Sequence, residues 1–129
     1  MSRLPAFADL SAAALLLLLL AGCSGGRYTQ AVEIVPGGNP QLGAQLIESY
    51  RCGACHMIPG IKDADGLVGP PLILFARRTY VGGEVPNTPP NLIRWIQDPK
   101  SIEPGTAMPT LGLDQQQARD VAAYLYTLR

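Results

Sequence analysis

One five-residue stretch constrains this chain more than any other: two cysteines three positions apart, with a histidine directly after the second. Two thiols at the spacing of Cys52 and Cys55 can add to the two vinyl groups of one porphyrin. The next residue, His56, can then bind the iron at its centre. The stretch therefore predicts covalent attachment of c-type haem through both cysteines, with His56 as an axial ligand.

Two other readings of the cysteine pair remain open, a thioredoxin-like dithiol and half of a zinc site. A dithiol enzyme carries its pair in a βαβ setting, and the flanking sequence shows no such alternation. A structural zinc ion needs four ligands, yet the chain has one other cysteine and no other histidine. These absences favour haem over both alternatives.

The first 22 residues have the character of a secretory signal peptide. A basic residue, Arg3, stands near the start, and an apolar run covers residues 12–21. The run is short for a transmembrane helix, which needs about 20 apolar residues, but it suits the apolar region of a signal. We therefore expect residues 1–22 to be a signal peptide that directs the rest of the chain out of the cytoplasm.

The apolar run ends in Leu-Ala-Gly before Cys23, which resembles the lipobox of bacterial lipoproteins. The resemblance implies cleavage before Cys23 and lipidation of this residue, with residues 23–38 as the lipidated N-terminus and flexible tether. Several acyl chains together hold a protein stably on a membrane. Ordinary cleavage near Cys23 and an uncleaved signal that serves as the anchor remain open alternatives.

The cysteine count agrees with export. Three cysteines are awkward for an exported protein, because pairing leaves one over. Lipid on Cys23 and haem on Cys52 and Cys55 use all three. We expect a lipid-anchored protein of the bacterial cell envelope, facing the periplasm or the exterior. Ser24 stands where inner-membrane lipoproteins carry a retention aspartate, so the resemblance favours the outer membrane of a Gram-negative cell.

Charge excludes one class of partner. The chain has 10 basic and 10 acidic residues, and loss of the signal removes one of each, Arg3 and Asp9. A nucleic-acid-binding domain would show a basic excess, so we expect no nucleic-acid partner. The overall balance can still conceal a local charged patch.

Residues 39–129 are predicted to form one all-α domain. A first helix begins with Asn39 as N-cap and Pro40 at the first position. Its apolar residues Leu42, Leu46 and Tyr50 recur at helical spacing, and it is expected to run into Cys52.

The rest of the domain alternates loops and helices. Residues 57–86 are expected to be mostly loop, with a helical turn near residues 72–78. A second helix is predicted from Thr88-Pro89 to Gln97, where Asp98-Pro99 stops it. A third runs from Asp114 to about Leu128, and its inner stripe is Val121, Tyr124, Leu125 and Leu128.

The sixth iron ligand follows by elimination. His56 is the only histidine, Met1 leaves with the signal, and Met57 adjoins His56 and cannot reach the opposite face of the haem. Met108 remains, in a loop stiffened by prolines on both sides and by a glycine. A role as core filler is the alternative for Met108. Ligation by histidine and methionine raises the reduction potential and suits electron transfer.

The chain resembles the small monohaem class I-type cytochromes c with His/Met ligation, here in a lipoprotein form. The resemblance rests on the haem-attachment stretch, Gly69-Pro70-Pro71-Leu72, residues 104–109 and the Ala-Tyr-Leu at 123–125. Residues 86–92, with Trp95-Ile96 and Asp98-Pro99, look closest to the cytochrome c domains of haem–copper oxidases. The implied fold is three main helices and loops wrapped round one covalently bound haem c.

The same resemblance implies roles for residues around the haem. The Pro70 carbonyl would accept a hydrogen bond from His56 Nδ1, Arg78 or Arg77 would pair with a haem propionate, and Trp95 would pack over the haem. An ordinary loop, surface or core role remains open for each. Gly43 and Tyr124 would meet where the first and last helices cross.

These features predict a membrane-tethered electron carrier between respiratory redox partners, with a haem–copper oxidase as one candidate. No bond-making is needed, so we expect the protein not to be an enzyme. The alternative is an electron-entry subunit of a larger dehydrogenase or terminal oxidase. A haem sensor or peroxidase-like enzyme is disfavoured, because the chain lacks a second histidine to activate peroxide.

Overall fold

The computed structural model describes residues 35–129, and the structural statements that follow concern this part of the chain. The predicted signal, Cys23 and most of the predicted tether lie outside the described residues. Within residues 35–129, three α-helices and one short hairpin confirm the predicted all-α class. The helices are α1 (Pro40–Ser49), α2 (Pro89–Gln97) and α3 (Gln115–Leu125); the hairpin strands are β1 (Tyr80–Val81) and β2 (Val85–Pro86); 3₁₀ turns cover Cys52–Ala54, Phe75–Arg77 and Pro99–Ser101.

Helix α1 begins where the sequence predicts. The Asn39 side chain accepts hydrogen bonds from the backbone N–H groups of Gln41 and Leu42, at 3.0 and 3.1 Å. This cap satisfies two donors that have no partner inside the helix. The expected continuation into Cys52 is wrong, because α1 ends at Ser49 and Arg51 adopts a left-handed backbone with φ 56°. That residue breaks the helix and starts the 3₁₀ turn that carries the first cysteine.

Helices α1 and α3 cross in close contact at Gly43. A Cβ atom there would overlap the Asp120 carbonyl and lie 3.0 Å from the Tyr124 Cβ. Only glycine lets the two backbones approach this closely, which confirms the predicted meeting of Gly43 and Tyr124. The buried positions of α1 are Gly43 and Ile47, whereas Leu42 of the predicted apolar set is 47% exposed.

A buried carboxylate joins the start of α1 to α3. Asp120 is 4% exposed and accepts hydrogen bonds from the Asn39 N–H at 2.8 Å and from Gln116 Nε2 at 2.9 Å. The Gln116 amide also donates to the Gly37 carbonyl at 2.8 Å. These bonds satisfy the carboxylate away from water and fix how the chain enters α1.

Helix α2 has the predicted bounds, although the Thr88 side chain makes no capping hydrogen bond. Helix α3 begins with a capping box in which Asp114 and Gln117 each bond the other's backbone N–H. It ends at Leu125, three residues before the predicted end. Val121 and Leu125 of its predicted stripe are buried, and Tyr124 and Leu128 are half-buried against the same core.

The hairpin was not predicted. Its turn contains Gly82 and Gly83, at φ 62° and 84°, a conformation that glycine adopts without strain. A Cβ on Gly82 would overlap the Trp95 ring, so this turn lies flat against α2. The hairpin, which follows the 3₁₀ turn Phe75–Arg77, thus packs against Trp95 of α2.

Asn87 ties this loop to α3. Its Nδ2 donates to the carbonyls of Phe75 and Arg78, at 3.2 and 3.1 Å, and its Oδ1 accepts from the Tyr126 hydroxyl at 2.8 Å. The Phe75 and Tyr126 rings meet edge to face with centroids 6.1 Å apart. One asparagine side chain therefore bonds three polar groups and fixes one wall of the cavity described next.

Candidate functional site

The site residues that the sequence placed within residues 35–129 line one cavity of about 420 Å³, except for Arg77, the alternative to Arg78. Such a volume falls in the range of pockets that hold small molecules and cofactors. Its walls come from α1, α2, α3, the hairpin and the loops between them, and most of the lining is apolar. The predicted residues on its surface are Cys52, Cys55, His56, Pro70, Arg78, Trp95 and Met108.

The cysteine pair stands on the 3₁₀ turn after α1. The backbone N–H groups of Cys55 and His56 both donate to the Cys52 carbonyl, at 3.2 and 3.0 Å. The turn also needs Gly53, since a Cβ there would lie 2.7 Å from the Ala64 Cα. Both thiols are free. Burial raises the pKa of the Cys52 thiol, a backbone hydrogen bond opposes the rise, and the nearby Cys55 adds to it.

His56 is oriented by the loop that follows it. Its Nδ1 lies 2.8 Å from the Pro70 carbonyl oxygen. Because a carbonyl can only accept, Nδ1 carries the proton and Nε2 keeps the lone pair that binds a metal. Gly69 presses against the ring, and a Cβ there would lie 2.9 Å from Nε2. The Gly69 N–H donates to the Cys55 carbonyl at 2.7 Å, which holds this loop over the imidazole.

Met108 reaches the cavity from a loop without helix or strand. The Met108 N–H donates to Thr106 Oγ1 at 3.2 Å, and the Gly105 N–H donates to Glu103 Oε1 at 2.7 Å. The Glu103 N–H in turn donates to the Pro99 carbonyl at 2.9 Å. Residues 106–109 all line the cavity, so local hydrogen bonds place the thioether at its surface.

Of the two arginines named from sequence, Arg78 lines the cavity and Arg77 does not. The Arg78 guanidinium donates to the Pro71 carbonyl and stands 5.3 Å from the centroid of the Phe75 ring. Burial lowers the pKa of Arg78. Trp95 lines the cavity with its ring against Gly82, and thus joins α2 to the hairpin.

Some lining residues escaped the sequence prediction. Tyr50 closes one side, and its hydroxyl donates to Gln117 Oε1 at 3.2 Å. Tyr80 and the two hairpin glycines also line the cavity. The Gly-Gly pair after Val81 is a hairpin signal that sequence reasoning could have used. Nothing in the local sequence marks Tyr50 as a cavity residue.

The donor set fits haem better than a lone metal ion. Within residues 35–129, no group of three or more His, Cys, Asp or Glu side chains converges on a point that could hold an ion. Cys52, Cys55 and His56 instead line one mostly apolar cavity. Two free thiols, an imidazole with Nε2 available and a thioether match the groups that hold haem c. Among the same residues, no helix is long and apolar enough to cross a bilayer.

Comparison with known proteins agrees with this geometry. The family model described as "Cytochrome c" matches residues 40–129. The chain is 32% identical over 88 residues to cytochrome c oxidase subunit 2 of Alkalihalophilus pseudofirmus, covering 67% of this chain and 25% of that protein. The chain is also 30% identical over 89 residues to cytochrome c oxidase subunit 2 of Bacillus sp. (strain PS3). This match covers 66% of this chain and 25% of that protein.

A third relative is cytochrome c of Theileria annulata, 33% identical over 104 residues, which cover 71% of this chain and 88% of that protein. The chain therefore spans about a quarter of each oxidase subunit and most of the small protein.

Proposed function

The chain belongs to the cytochrome c family, and on that premise we propose that it is a membrane-tethered, single-haem electron carrier between respiratory redox partners. Family membership gives covalently bound haem c, electron transfer and redox partners. The proposal adds the number of haems, the residues that hold the iron, the tether and the kind of partner. One observation carries it: Cys52, Cys55, His56 and Met108 all line the same cavity.

In this proposal, Cys52 and Cys55 would hold the haem through thioether bonds, and His56 Nε2 and Met108 Sδ would bind its iron. One pair of cysteines and one histidine in the described domain account for a single haem. The haem supplies reversible one-electron chemistry. The Pro70 carbonyl keeps the proton on Nδ1 of His56 and makes the imidazole a stronger donor.

The remaining cavity residues orient the haem and exclude water. Arg78 offers a guanidinium fork for a propionate, and Trp95 covers part of the haem surface. With His56 and Met108 both bound to the iron, no place would be left on it for oxygen or substrate. This supports an electron carrier that is not itself an enzyme.

The tether is inferred from the sequence before residue 35. Residues 1–22 have the pattern of a lipoprotein signal, and lipidation of Cys23 would hold the domain at a membrane of the bacterial cell envelope, facing the periplasm or exterior. Tethering raises the effective concentration of the carrier near membrane-bound partners.

A second candidate function is an electron-entry subunit of a larger terminal oxidase or dehydrogenase. The similarity to segments of two cytochrome c oxidase subunit 2 proteins favours this candidate. It also makes a haem–copper oxidase a partner of interest for the free carrier. The two candidates differ in whether the interface with the partner is permanent.

The ligand assignment is tested by the spectrum of the purified ferric protein. We expect the weak methionine-to-iron band in the red and slow cyanide binding. Absence of that band, together with rapid cyanide binding, would show an open sixth position and overturn the carrier proposal.

Mass spectrometry of the intact protein tests two further parts of the proposal, the number of haems and the acylation of Cys23. Size exclusion after mild detergent extraction from native membranes separates a free carrier from a subunit of a high-mass complex.

A further inference from the structure

A second hollow, of about 370 Å³, lies between α2 and α3 and shares no lining residue with the haem cavity. Two of its residues are arginines, one from each helix, and no acidic residue lines it. We call this hollow the arginine groove. Its lining residues are Pro90, Ile93, Arg94, Gln97, Gln115 and Arg119.

Both arginines in the groove are held by neutral acceptors. Arg94 donates from Nε to Ser101 Oγ at 3.3 Å and from Nη2 to the Ser101 carbonyl at 2.9 Å. Arg119 donates from Nη1 to the Pro36 carbonyl at 3.0 Å. Neither forms an ion pair with a carboxylate of residues 35–129. The hydrogen bonds fix the direction of each guanidinium and leave both positive charges uncompensated.

The acidic residues nearest in sequence to the two arginines have other partners. Asp120, directly after Arg119, is buried and accepts from the Asn39 N–H and from Gln116 Nε2. Asp98 Oδ1 accepts from the Thr110 hydroxyl at 3.4 Å, and Asp114 accepts from the Gln117 N–H at 2.8 Å. None of the three lines the groove. Two guanidinium groups without a carboxylate partner therefore line one hollow, although the overall charge of the chain is neutral.

The groove also lies beside the point where the preceding chain enters the domain. Arg119 binds Pro36, and the buried Val35 is the residue before it. Val35 lies twelve positions after Cys23, and a chain of that length spans at most about 40 Å. A lipid on Cys23 would therefore keep this basic face within reach of the bilayer surface.

From the uncompensated arginines and this placement, we propose that the arginine groove docks onto anionic phospholipid head groups and holds the domain against the membrane by this face. The inference rests on the tether of the proposed function. Guanidinium groups bind phosphate oxygens through paired N–H donors, and basic residues near a membrane are attracted to anionic lipids. Docking would give the tethered domain a fixed face toward the membrane.

Arginine footprinting tests the proposal on the full chain. The holoprotein is reconstituted with vesicles of phosphatidylcholine alone, or with one third phosphatidylglycerol, and treated with phenylglyoxal. Mass spectrometry then gives the modification rate of each arginine. Arg77 is the internal control, since it is exposed and lines neither hollow.

We expect Arg94 and Arg119 to react about fivefold more slowly on the anionic vesicles than on the neutral ones, with Arg77 unchanged. Salt at about 1 M, where the Debye length is about 3 Å, should remove the protection. In Arg94→Gln, Arg119 should lose most of its protection, whereas Arg77→Gln should leave it intact.

Equal rates for Arg94 on both kinds of vesicle would overturn the proposal. Protection in native membranes but not on anionic vesicles would also overturn it, and would assign the groove to a protein partner. Failure of the tether has a separate signature, because a protein without a membrane anchor does not co-float with neutral vesicles. Footprinting on anionic vesicles still tests the groove in that case.

Discussion

The two sides of the haem cavity are built in different ways. On the histidine side, residues 53–72 are held by backbone bonds between separate turns, such as Gly66 N–H to the Gly53 carbonyl at 3.0 Å and Leu72 N–H to the Met57 carbonyl at 2.8 Å. On the methionine side, residues 99–109 are held mainly by bonds spanning four residues or fewer. The histidine side therefore depends on close contacts between segments, and the methionine side on the local loop.

Glycines sharpen this contrast. A Cβ on Gly69 would overlap the His56 ring, and one on Gly66 would lie 2.6 Å from the Ala54 carbonyl. A Cβ on Gly105, in the methionine loop, would meet only the flexible Glu103 side chain, at 3.0 Å. The histidine side thus has little room for change, whereas the methionine side can relax. Five predictions test this difference and the walls of the cavity, ordered by expected effect.

The largest effect is expected from Gly69→Ala. The new methyl group would push the His56 ring away from the Pro70 carbonyl, and overpacking of this kind costs about 1–3 kcal/mol in addition to the disturbed iron ligation. We expect little holoprotein to accumulate, measured by haem absorbance and by thermal unfolding of what remains. Gly105→Ala is the matched control, and its stability should stay within about 1 kcal/mol of the parent. Equal stability of the two variants would refute the claim that the histidine side is packed more tightly than the methionine side.

Met108→Ala removes the proposed axial thioether and leaves the histidine side intact. We expect haem to remain attached, with a reduction potential lower by on the order of 0.1 V or more, since axial ligands set the potential over a wide range. Cyanide should bind rapidly. Met57→Leu is the control, and it should change neither potential nor cyanide binding. An unchanged spectrum in Met108→Ala would place the sixth ligand elsewhere.

Tyr126→Phe weakens one wall of the cavity by removing the hydroxyl that donates to Asn87 Oδ1. Loss of the partner of this half-buried acceptor costs about 1–2 kcal/mol, measured as the free energy of unfolding in denaturant. Tyr80→Phe is the matched control, because Tyr80 is 54% exposed. A loss of similar size in both variants would contradict the role given to Asn87.

The same tyrosine predicts an alkaline transition. Burial raises the pKa of Tyr126 to about 12, above the value near 10 of an exposed tyrosine. The folded state therefore binds this proton more tightly than the unfolded state does. Its contribution to stability is complete below about pH 10 and is lost as pH rises through about 12. The fall in unfolding free energy over this window should be smaller in Tyr126→Phe than in the parent.

The smallest effect is expected from Thr106→Val, which removes the acceptor of the Met108 N–H bond. A single hydrogen bond of a half-buried loop contributes about 0.5–1.5 kcal/mol. We expect a small loss of stability and a more labile methionine ligand, seen as a lower pH at which the red band disappears. Thr110→Val, whose hydroxyl bonds only Asp98 at 3.4 Å, should leave that pH unchanged.

Sequence reasoning worked best where one short stretch determines the structure. Asn39-Pro40, Thr88-Pro89 and Asp114 predicted the starts of the three helices within residues 35–129, because a side-chain cap or a proline at the first position acts within a single turn. The all-α class and the family were confirmed for similar reasons. The residues of the haem-attachment motif and Met108 were named from spacing and elimination, and their roles as ligands remain predictions.

It failed where distant segments decide the structure. The left-handed Arg51 that ends α1, the two-residue strands of the hairpin and the exposed Leu42 depend on what packs against them. Tyr50 lines the cavity because Gln117 of α3 accepts its hydroxyl, a partner that local sequence does not reveal. The arginine groove was hidden in the same way, since Arg94 and Arg119 lie far apart in the chain and meet only between packed helices.

The crossing at Gly43 has a consequence for the order of assembly. The two helices that cross there, α1 and α3, lie near opposite ends of the described sequence. Helix α3 also supplies Val121 and Leu125 to the cavity wall. A chain that emerges from its N-terminus presents both thiols well before α3 arrives to close the cavity. Haem can therefore be attached to a chain that is not yet folded, and packing of α3 then completes the cavity wall around it. A chain cut before Asp114 would keep both thiols and lose that closure.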